Sequence, residues 1–312
     1  MKQAEILVVG SINRDMIFSD PDMSNLVGGV PAAYGAYSFA NGGKGGNQAC
    51  AAAKLGAHVQ LVGCIGDDDA GRAQLEAYAQ MGVNTDFLEQ RQDIHTGFAV
   101  MLLLDEGRYH TANVRGGNDR IDPSFVERAL DAQAFDFLIM QREMPAETIY
   151  RSYEAAAQRG VKVIFDPGPA GDMPLERLRG IYMINPHEAE TAALTGVTVK
   201  CEEDALRAAS ILQKRCEACV VLLKLGAMGA YLYQNGEGRL FPAFPVKSID
   251  TTGAGDTFTA ALAVQLANGS AMEDAVRFAN AAGALCVSRS GGHASIPTLK
   301  ETKAFLAERN GW

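Results

Sequence analysis

Asp250-Thr-Thr-Gly-Ala-Gly-Asp-Thr-Phe258 runs straight into Thr259-Ala-Ala-Leu-Ala-Val-Gln-Leu266. A turn of small residues opens onto an apolar helix, and one carboxylate, Asp256, stands in its first turn. The opening turn of a helix carries N–H groups without intrahelical partners and the positive end of the helix dipole. Gly253 and Gly255 have no side chain to keep an anion away from those groups. An anion cradle beside a carboxylate is what phosphoryl transfer requires: the cradle takes phosphate charge and the carboxylate takes a proton from the attacking hydroxyl. Taken alone, the segment reads equally as a tight turn with a dipole partner.

The chain around it alternates strand-like with helix-like runs. Ile6–Val9, Val59–Ile65, Phe137–Met140, Val161–Phe165, Ile181–Ile184, Val220–Leu223 and Ala230–Tyr233 read as strands, several of them continuous apolar runs of the kind that sheets covered on both faces contain. Asn47–Leu55, Ala70–Met81, Glu147–Arg159, Glu202–Arg215 and Asp256–Ala267 read as helices, and Gly56, Gly82, Gly160 and Gly269 follow helical runs as C-terminal stops. Ser270 and Glu273 fit a capping box for a helix running to about Ser288. Such alternation predicts a mostly parallel sheet with helices on both faces.

Two stretches break the rhythm. Residues 14–41 are rich in Gly, Ala and Tyr without a helical period. Residues 95–114 hold Thr96–Leu104 and Arg108–Val114 around Asp105-Glu-Gly107, a hairpin pattern. They predict a small β appendage that covers a cleft, pairs with another subunit, or both. The expected division is a core of 1–13, 42–94 and 119–312, with a lid of 14–41 and 95–118.

The bulk numbers narrow the partners. The 312 residues are 47% hydrophobic and 21% charged, an ordinary globular composition. A net charge of −9 argues against nucleic acid or an anionic membrane as the main partner, so a bound polyphosphate must be held by local features. No apolar run approaches membrane length, and Met1–Glu5 passes directly into a strand without a secretory pattern, which predicts the cytoplasm. The six cysteines lie mostly in apolar stretches as buried thiols do. Cys216-Glu-Ala-Cys219 is a lone pair without a second one or a nearby His, a poor redox or zinc site.

Three further segments carry chemistry. Asn41-Gly-Gly-Lys-Gly-Gly-Asn47-Gln-Ala precedes a helix, but Lys44 is followed by Gly and the spacing is not that of a Walker A loop. Lys44 and Asn47 offer donors; Asn47 reads equally as the cap of its helix. Gly10-Ser-Ile-Asn-Arg-Asp15 has one glycine where a dinucleotide fingerprint needs three. Asn13 and Asp15 alternate along an extended segment and suit a polyhydroxyl ligand together with Lys44 and Asn47. Asn185-Pro-His-Glu188-Ala-Glu190 follows a strand at its carboxyl end; Asn185 and Glu188 could orient hydrated Mg²⁺ or merely open a helix. Leu225-Gly-Ala-Met-Gly229 is a glycine turn suited to passing nucleotide.

In order along the chain, Gly10–Asp15, Gly42–Ala49, Val62-Gly-Cys-Ile-Gly-Asp-Asp68, Met140-Gln-Arg-Glu143, Asn185–Glu188 and Asp250–Phe258 resemble the ribokinase branch of the ribokinase-like (PfkB) sugar kinases. The resemblance implies a Rossmann-like three-layer α/β/α core with a β lid, often dimeric through the lids. It also implies ATP-dependent phosphorylation of a primary hydroxyl on a small sugar, ribose foremost. Asp256 is then the base, and the backbone of Gly253, Ala254 and Gly255 the anion hole. Asn13, Asp15, Gly43, Lys44, Asn47 and Glu143 would hold the sugar. Asn185 and Glu188 would govern Mg²⁺ and phosphate, while Lys224, Gly226, Gly229 and Asn280 would lie along the nucleotide, which also meets Gly255. The matching positions for a monovalent cation, usually K⁺, are Asp250, Thr252, Cys286, Arg289, Gly291 and Ser295, partly through carbonyls. The chain departs from the family pattern at Val27–Tyr37, at Lys224, where ribokinases commonly carry Thr, and at Arg115-Gly-Gly-Asn-Asp119. Another sugar, a sugar phosphate or a nucleoside therefore stays open as substrate. A sugar sensor on the same fold and a nicotinamide oxidoreductase are the readings from other classes.

Overall fold

The computed structural model describes residues 3–104 and 109–309. Its centre is a nine-stranded sheet whose inner strands bury nearly every residue. β1 (Glu5–Val9) is an inner strand, third from one edge. On one side it pairs with β6 (His58–Gly66), which pairs with β7 (Val83–Arg91). On the other side follow β10 (Phe137–Gln141), β11 (Lys162–Asp166), β12 (Met183–Ile184) and β13 (Val220–Lys224). All these pairs are parallel. β14 (Ala230–Gln234) and β15 (Glu237–Phe241) close the edge antiparallel.

Alternation along each strand divides the core in two. Ile6, Val8, Leu61, Ile139 and Leu222 face α1 (Lys44–Lys54), α7 (Ala254–Ala267) and α8 (Met272–Val287). Leu7, Val9, Val62, Leu138 and Leu223 face α3 (Pro123–Ala132), α4 (Ala146–Gln158) and α6 (Glu202–Cys216). Both faces are covered, so strands and helices form the three expected layers. The remaining helices are α2 (Asp69–Met81), α5 (Glu188–Thr195) and α9 (Leu299–Glu308).

A second sheet stands apart, with β2 (Asn13–Pro21) at its centre. β2 pairs antiparallel with β5 (Tyr34–Gly42) and parallel with β8 (Gly97–Leu103), which pairs with β9 (Tyr109–Val114). The predicted turn at Asp105-Glu-Gly107 lies outside the described residues. The unusual Val27–Tyr37 stretch takes form as a small ribbon, β3 (Leu26–Val27) against β4 (Val30–Pro31), leading into β5.

Several sequence expectations change. The predicted helix at 47–55 begins three residues earlier, at Lys44, because Gly43 takes the left-handed cap position (φ 84°) and the helix is packed on the backbone after β1. Asn47 is therefore inside the first turn and not its cap. The Ser270–Glu273 capping box does not form: Ala271 is the N-cap of α8, Ser270 bonds Gln265 at 3.0 Å and Glu273 pairs with Arg239 at 2.7 Å. Strands β7 and β15 and helices α3, α5 and α9 carry weaker patterns and were not anticipated by periodicity.

Parallel strands put their carboxyl ends at one rim, and the chain reverses its direction across the sheet beside β1. Ligands of open α/β sheets bind at such a switch point. Ser11, Gln141, Asp166, Asn185 and Lys224 all sit at or just beyond strand ends on that rim, and α1 and α7 present their first turns to it.

Candidate active site

Asp256 is 6% exposed in the first turn of α7. Gly253 precedes the helix with φ 75°, a left-handed conformation that a side chain would strain. Ala254 N–H is engaged by Thr251 O at 3.3 Å, whereas the N–H groups of Gly255 and Asp256 have no partners in the helix.

The carboxylate of Asp256 is held from α1. Asn47 Nδ2 donates to its Oδ2 at 2.9 Å, Gln48 Nε2 donates to Oδ1 at 3.0 Å, and Lys44 Nζ stands 3.5 Å from Oδ1. Positions 44, 47 and 48 share one face of a helix, which is why a single first turn delivers all three. Gln48 Oε1 accepts from Gln141 Nε2, which fixes the amide with its nitrogen toward the carboxylates. Asn47 Oδ1 faces His293 Nε2 at 3.1 Å, while His293 Nδ1 faces Cys50 Sγ at 3.7 Å. Burial, with Lys54 nearby, brings His293 down to about 4, and burial pushes the Cys50 thiol up to about 12. A neutral imidazole with the thiol donating to Nδ1 carries its proton on Nε2, so it donates to Asn47.

A second buried carboxylate, Asp166, ends β11 and is fully enclosed. Its Oδ2 meets Lys224 Nζ at 3.0 Å, Lys44 Nζ at 3.3 Å and Gln48 Nε2 at 3.1 Å, and its Oδ1 accepts from Gly168 N at 3.2 Å. Burial alone would raise its pKa; the Lys224 and Lys44 ammoniums outweigh that and hold it well below the usual carboxylate range. Lys44 shows the reciprocal: burial works against its charge, but Asp166, Asp256, Glu190 and Glu143 together hold it well above the ordinary value.

The remaining sugar-side candidates converge on the start of the second sheet. Asn13 Oδ1 accepts from Asn118 Nδ2 at 2.7 Å, and Asn118 Oδ1 accepts from Ile12 N at 2.8 Å. The atypical Arg115–Asp119 turn therefore works as a clamp on Asn13. Glu143 accepts from Ser11 Oγ and from Lys44 N (3.3 Å). Asp15 is pushed up to about 7 by burial, with Glu143 adding to the rise and Arg14 opposing it. Its Oδ1 is buried with no hydrogen-bond partner among the described residues. Gly43 packs against the Ser11–Asn13 backbone, where a Cβ would come within 2.7 Å of Asn13 N.

On the far side of Asp256 an open cleft of about 630 Å³ is lined by Lys224, Gly226, Gly229, Gly255, Phe244 and Val287, among others. Asn280 borders it too, with its amide already donating to Phe241 O (3.1 Å) and Pro242 O (3.3 Å). Its apolar end suits a flat base and its Lys224 end suits phosphates.

Metal candidates were tested on their donors. Asn185 Nδ2 donates to Thr259 Oγ1 at 2.8 Å, which leaves its buried Oδ1 without a partner among the described residues. Glu188 opens α5 with an exposed carboxylate against Gly226. Among the described residues no group of three or more His, Cys, Asp or Glu is placed to hold a metal ion. One carboxylate and one amide oxygen still fit Mg²⁺, which keeps several waters. At the other end of the turn, Asp250 accepts from Thr252 N (2.9 Å) and Gly291 N (3.5 Å). Cys286 Sγ lies 3.8 Å from Thr252 O and 3.2 Å from Ser295 Oγ. Burial raises the Cys286 thiol, so it stays protonated. Arg289 turns its guanidinium to Glu301 at 2.7 Å, leaving only its carbonyl for an ion. These hard oxygens from two loops fit a large monovalent cation, whose water shell carbonyls replace.

Sequence reading missed Asp166, Gln48, Gln141, Asn118 and His293. Asp166 stands before Pro167-Gly168-Pro169, so its signal was a turn signal; the others had no spacing signal, since partners 93 to 246 positions away define them.

The chain is similar to known proteins over nearly its whole length. The pfkB family carbohydrate kinase profile matches residues 3–299. The chain is 37% identical to the ribokinase of Haemophilus influenzae over 96% of its own length and 98% of the relative's. It is 34% identical to the ribokinase of Bacillus subtilis, over 97% and 99%. Its fold matches the Arabidopsis thaliana ribokinase complexed with ribose and ATP at a TM-score of 0.86, with 32% identity over 98% of this chain and 99% of that one. The ordered motifs, the three-layer core with its second sheet and these full-length relatives place the chain in the pfkB family of carbohydrate kinases.

Proposed function

We propose that this sugar kinase transfers the γ-phosphoryl group of ATP to the primary hydroxyl of ribose, giving ribose 5-phosphate. One observation carries the reading. Asp256 stands at the cradle of α7 between a set of hydroxyl-binding groups on one side and the cleft with the glycine turn on the other.

Asn13, Asp15, Lys44, Asn47 and Glu143 hold the sugar hydroxyls, and the unpartnered Asp15 oxygen accepts one of them. Asn47, fixed by His293, and Gln48, fixed by Gln141, hold the Asp256 carboxylate toward the attacking hydroxyl. Asp256 takes the hydroxyl proton as the phosphoryl group transfers. The N–H groups of Gly255 and Asp256, with Lys224 beside Gly255, meet the charge that develops on the phosphoryl oxygens. Gly226, Gly229 and Asn280 pass the rest of the nucleotide. Asn185 and Glu188 would hold Mg²⁺, which would supply charge neutralisation to the phosphates. Asp250, Thr252, Cys286, Arg289, Gly291 and Ser295 would hold K⁺, which would supply positive charge near the first turn of α7. Positioning and charge supply most of such a rate, since phosphoryl transfer needs little covalent help.

The small sheet serves as the lid over the sugar, and its exposed Tyr37, Phe39 and Val114 support pairing of two copies through it. Sedimentation of the purified chain tests that pairing. All six cysteines are unpaired, which supports a reducing compartment such as the cytoplasm.

The test is ADP release from ATP with ribose, other pentoses, hexoses, their phosphates and nucleosides, each with and without K⁺. Ribose is expected to give the highest kcat/KM, and K⁺ to raise it. A better acceptor of another class overturns the ribose assignment; binding of sugar without ADP release from any acceptor favours a sensor.

A further inference from the structure

Four charged groups form a row across the site: Lys224, Asp166, Lys44 and Asp256. Successive separations are 3.0, 3.3 and 3.5 Å. The signs alternate, and the two ends lie on different substrate sides. Lys224 lines the cleft assigned to the nucleotide, and Asp256 faces the sugar. The row is enclosed: Asp166 is fully buried, Asp256 and Lys224 nearly so, and the Lys44 side chain is 20% exposed.

Asp166 gives one oxygen, Oδ2, to both lysines and to Gln48. A single buried charge shared between two ammoniums leaves each of them less than fully compensated. Pairs in such a network are strongly non-additive. An incoming triphosphate offers Lys224 a second anionic partner. Its draw on Asp166 weakens, and Asp166 becomes available to Lys44. Lys44 then has less reason to lean on Asp256, whose oxygen is the acceptor a sugar hydroxyl needs.

We propose that Asp166 is a positioning residue that couples the two substrates, passing the arrival of nucleotide phosphates at Lys224 through Lys44 to the sugar-accepting oxygen of Asp256. The inference rests on the reading of the site as a sugar site joined to a nucleotide site. It assigns to Lys224, the departure from the family pattern, a partner and a purpose: the lysine and the carboxylate form a linkage that a threonine at that position has no charge to make.

The test is calorimetric. The Kd of ribose is measured with and without a saturating β,γ-imido analogue of ATP and Mg²⁺, for the native chain, Lys224→Met, Lys224→Arg and Asp166→Asn. The native chain is expected to bind ribose about five- to tenfold tighter with the analogue present, within the usual range of coupling between sites. Lys224→Met should bind the analogue more weakly, yet once saturated with it at higher concentration should show a ribose tightening below twofold, and Lys224→Arg should keep most of the tightening. Asp166→Asn should lose it as well. Should that variant fail to fold, the Met and Arg pair decides, because both leave Asp166 in place. Full coupling in Lys224→Met, or no coupling in a native chain that binds both ligands, overturns the proposal. A native chain that binds neither ribose nor the analogue overturns the reading of the site, and the coupling falls with it.

Discussion

The two sheets of this molecule are built to opposite rules. The nine-stranded sheet is covered on both faces, its inner strands read as apolar runs, and Asp256, Asp166 and Lys44 at its rim are matched by partners at 2.9 to 3.5 Å. The small sheet exposes Tyr37, Phe39 and Val114 at 64%, 47% and 59%, and carries a buried carboxylate oxygen, on Asp15, with no partner among the described residues. The first holds its buried carboxylates Asp166 and Asp256 from within the chain, although Asn185 Oδ1 and Gln141 Oε1 at its rim stay without partners among the described residues. The second has polar and apolar surface left over for something that is not part of the chain. The difference separates chemistry from recognition: proton transfer needs groups fixed in advance, whereas a substrate pocket needs groups left unsatisfied until the substrate arrives.

The sharpest break in that comparison is Asp256→Asn. It keeps the shape but sets one α1 amide donor against another donor, a local cost, so the fold and ribose binding should persist while kcat falls by about 10²–10⁴-fold. Steady-state kinetics beside calorimetric ribose binding checks it, and near-native turnover would sink the assignment. Next comes a break in the packing below the rim. Leu138, fully buried on central β10, becomes Ala at an expected cost of about 2–5 kcal/mol, read by urea unfolding. A result under about 1 kcal/mol would mean that this face of the sheet is not the tight core it resembles.

Asp15→Asn probes the other sheet. Ribose KM should rise at least tenfold, with kcat less affected, because a hydroxyl acceptor is lost on the sugar side. A stability signature accompanies it. Burial holds the folded pKa of Asp15 near 7, above an unfolded value of 3.8. The folded chain keeps that proton longer, so this group costs nothing at low pH and removes stability as pH climbs from about 4 to 7. The melting temperature of the native chain should fall across that window, and the variant's should fall less; equal slopes would show that Asp15 is not the group responsible. The smallest effect is expected at the exposed face. Tyr37→Ser with Phe39→Ser should change unfolding free energy by no more than about 0.5 kcal/mol per site, while weakening any self-association seen in sedimentation. Finally, amide exchange in β8 and β9 should slow when ribose binds, with no matching change in β10 or β11. Unchanged exchange in both sheets would count against a lid.

The same contrast explains what could be read in advance. Strands such as Val220–Leu223 announce themselves because both faces are buried. The turn at 250–258 announces itself because cradle and carboxylate are adjacent in sequence. β7 reads poorly: it is an edge strand whose Val-Asn-Thr-Asp-Phe run mixes exposed and buried positions. Asp166 was hidden for another reason. A carboxylate before Pro-Gly-Pro resembles turn chemistry, and only the folded chain brings Lys44 and Lys224 to it from 122 and 58 positions away. His293 was illegible on the same ground, since its contact with Asn47 spans 246 residues. Local chemistry was visible; the positioning of that chemistry was written in long-range packing.

One row of the small sheet has a mechanical meaning. Asn13 pairs with Gly42 on one side and Gly97 on the other, so three of the places where this sheet meets the core lie side by side. That line carries Asn13, clamped by Asn118, while Asp15 sits one pleat further out. If the sheet closes over sugar as proposed, a hinge on that line would shape the pocket around Asn13 and Asp15 in the same movement.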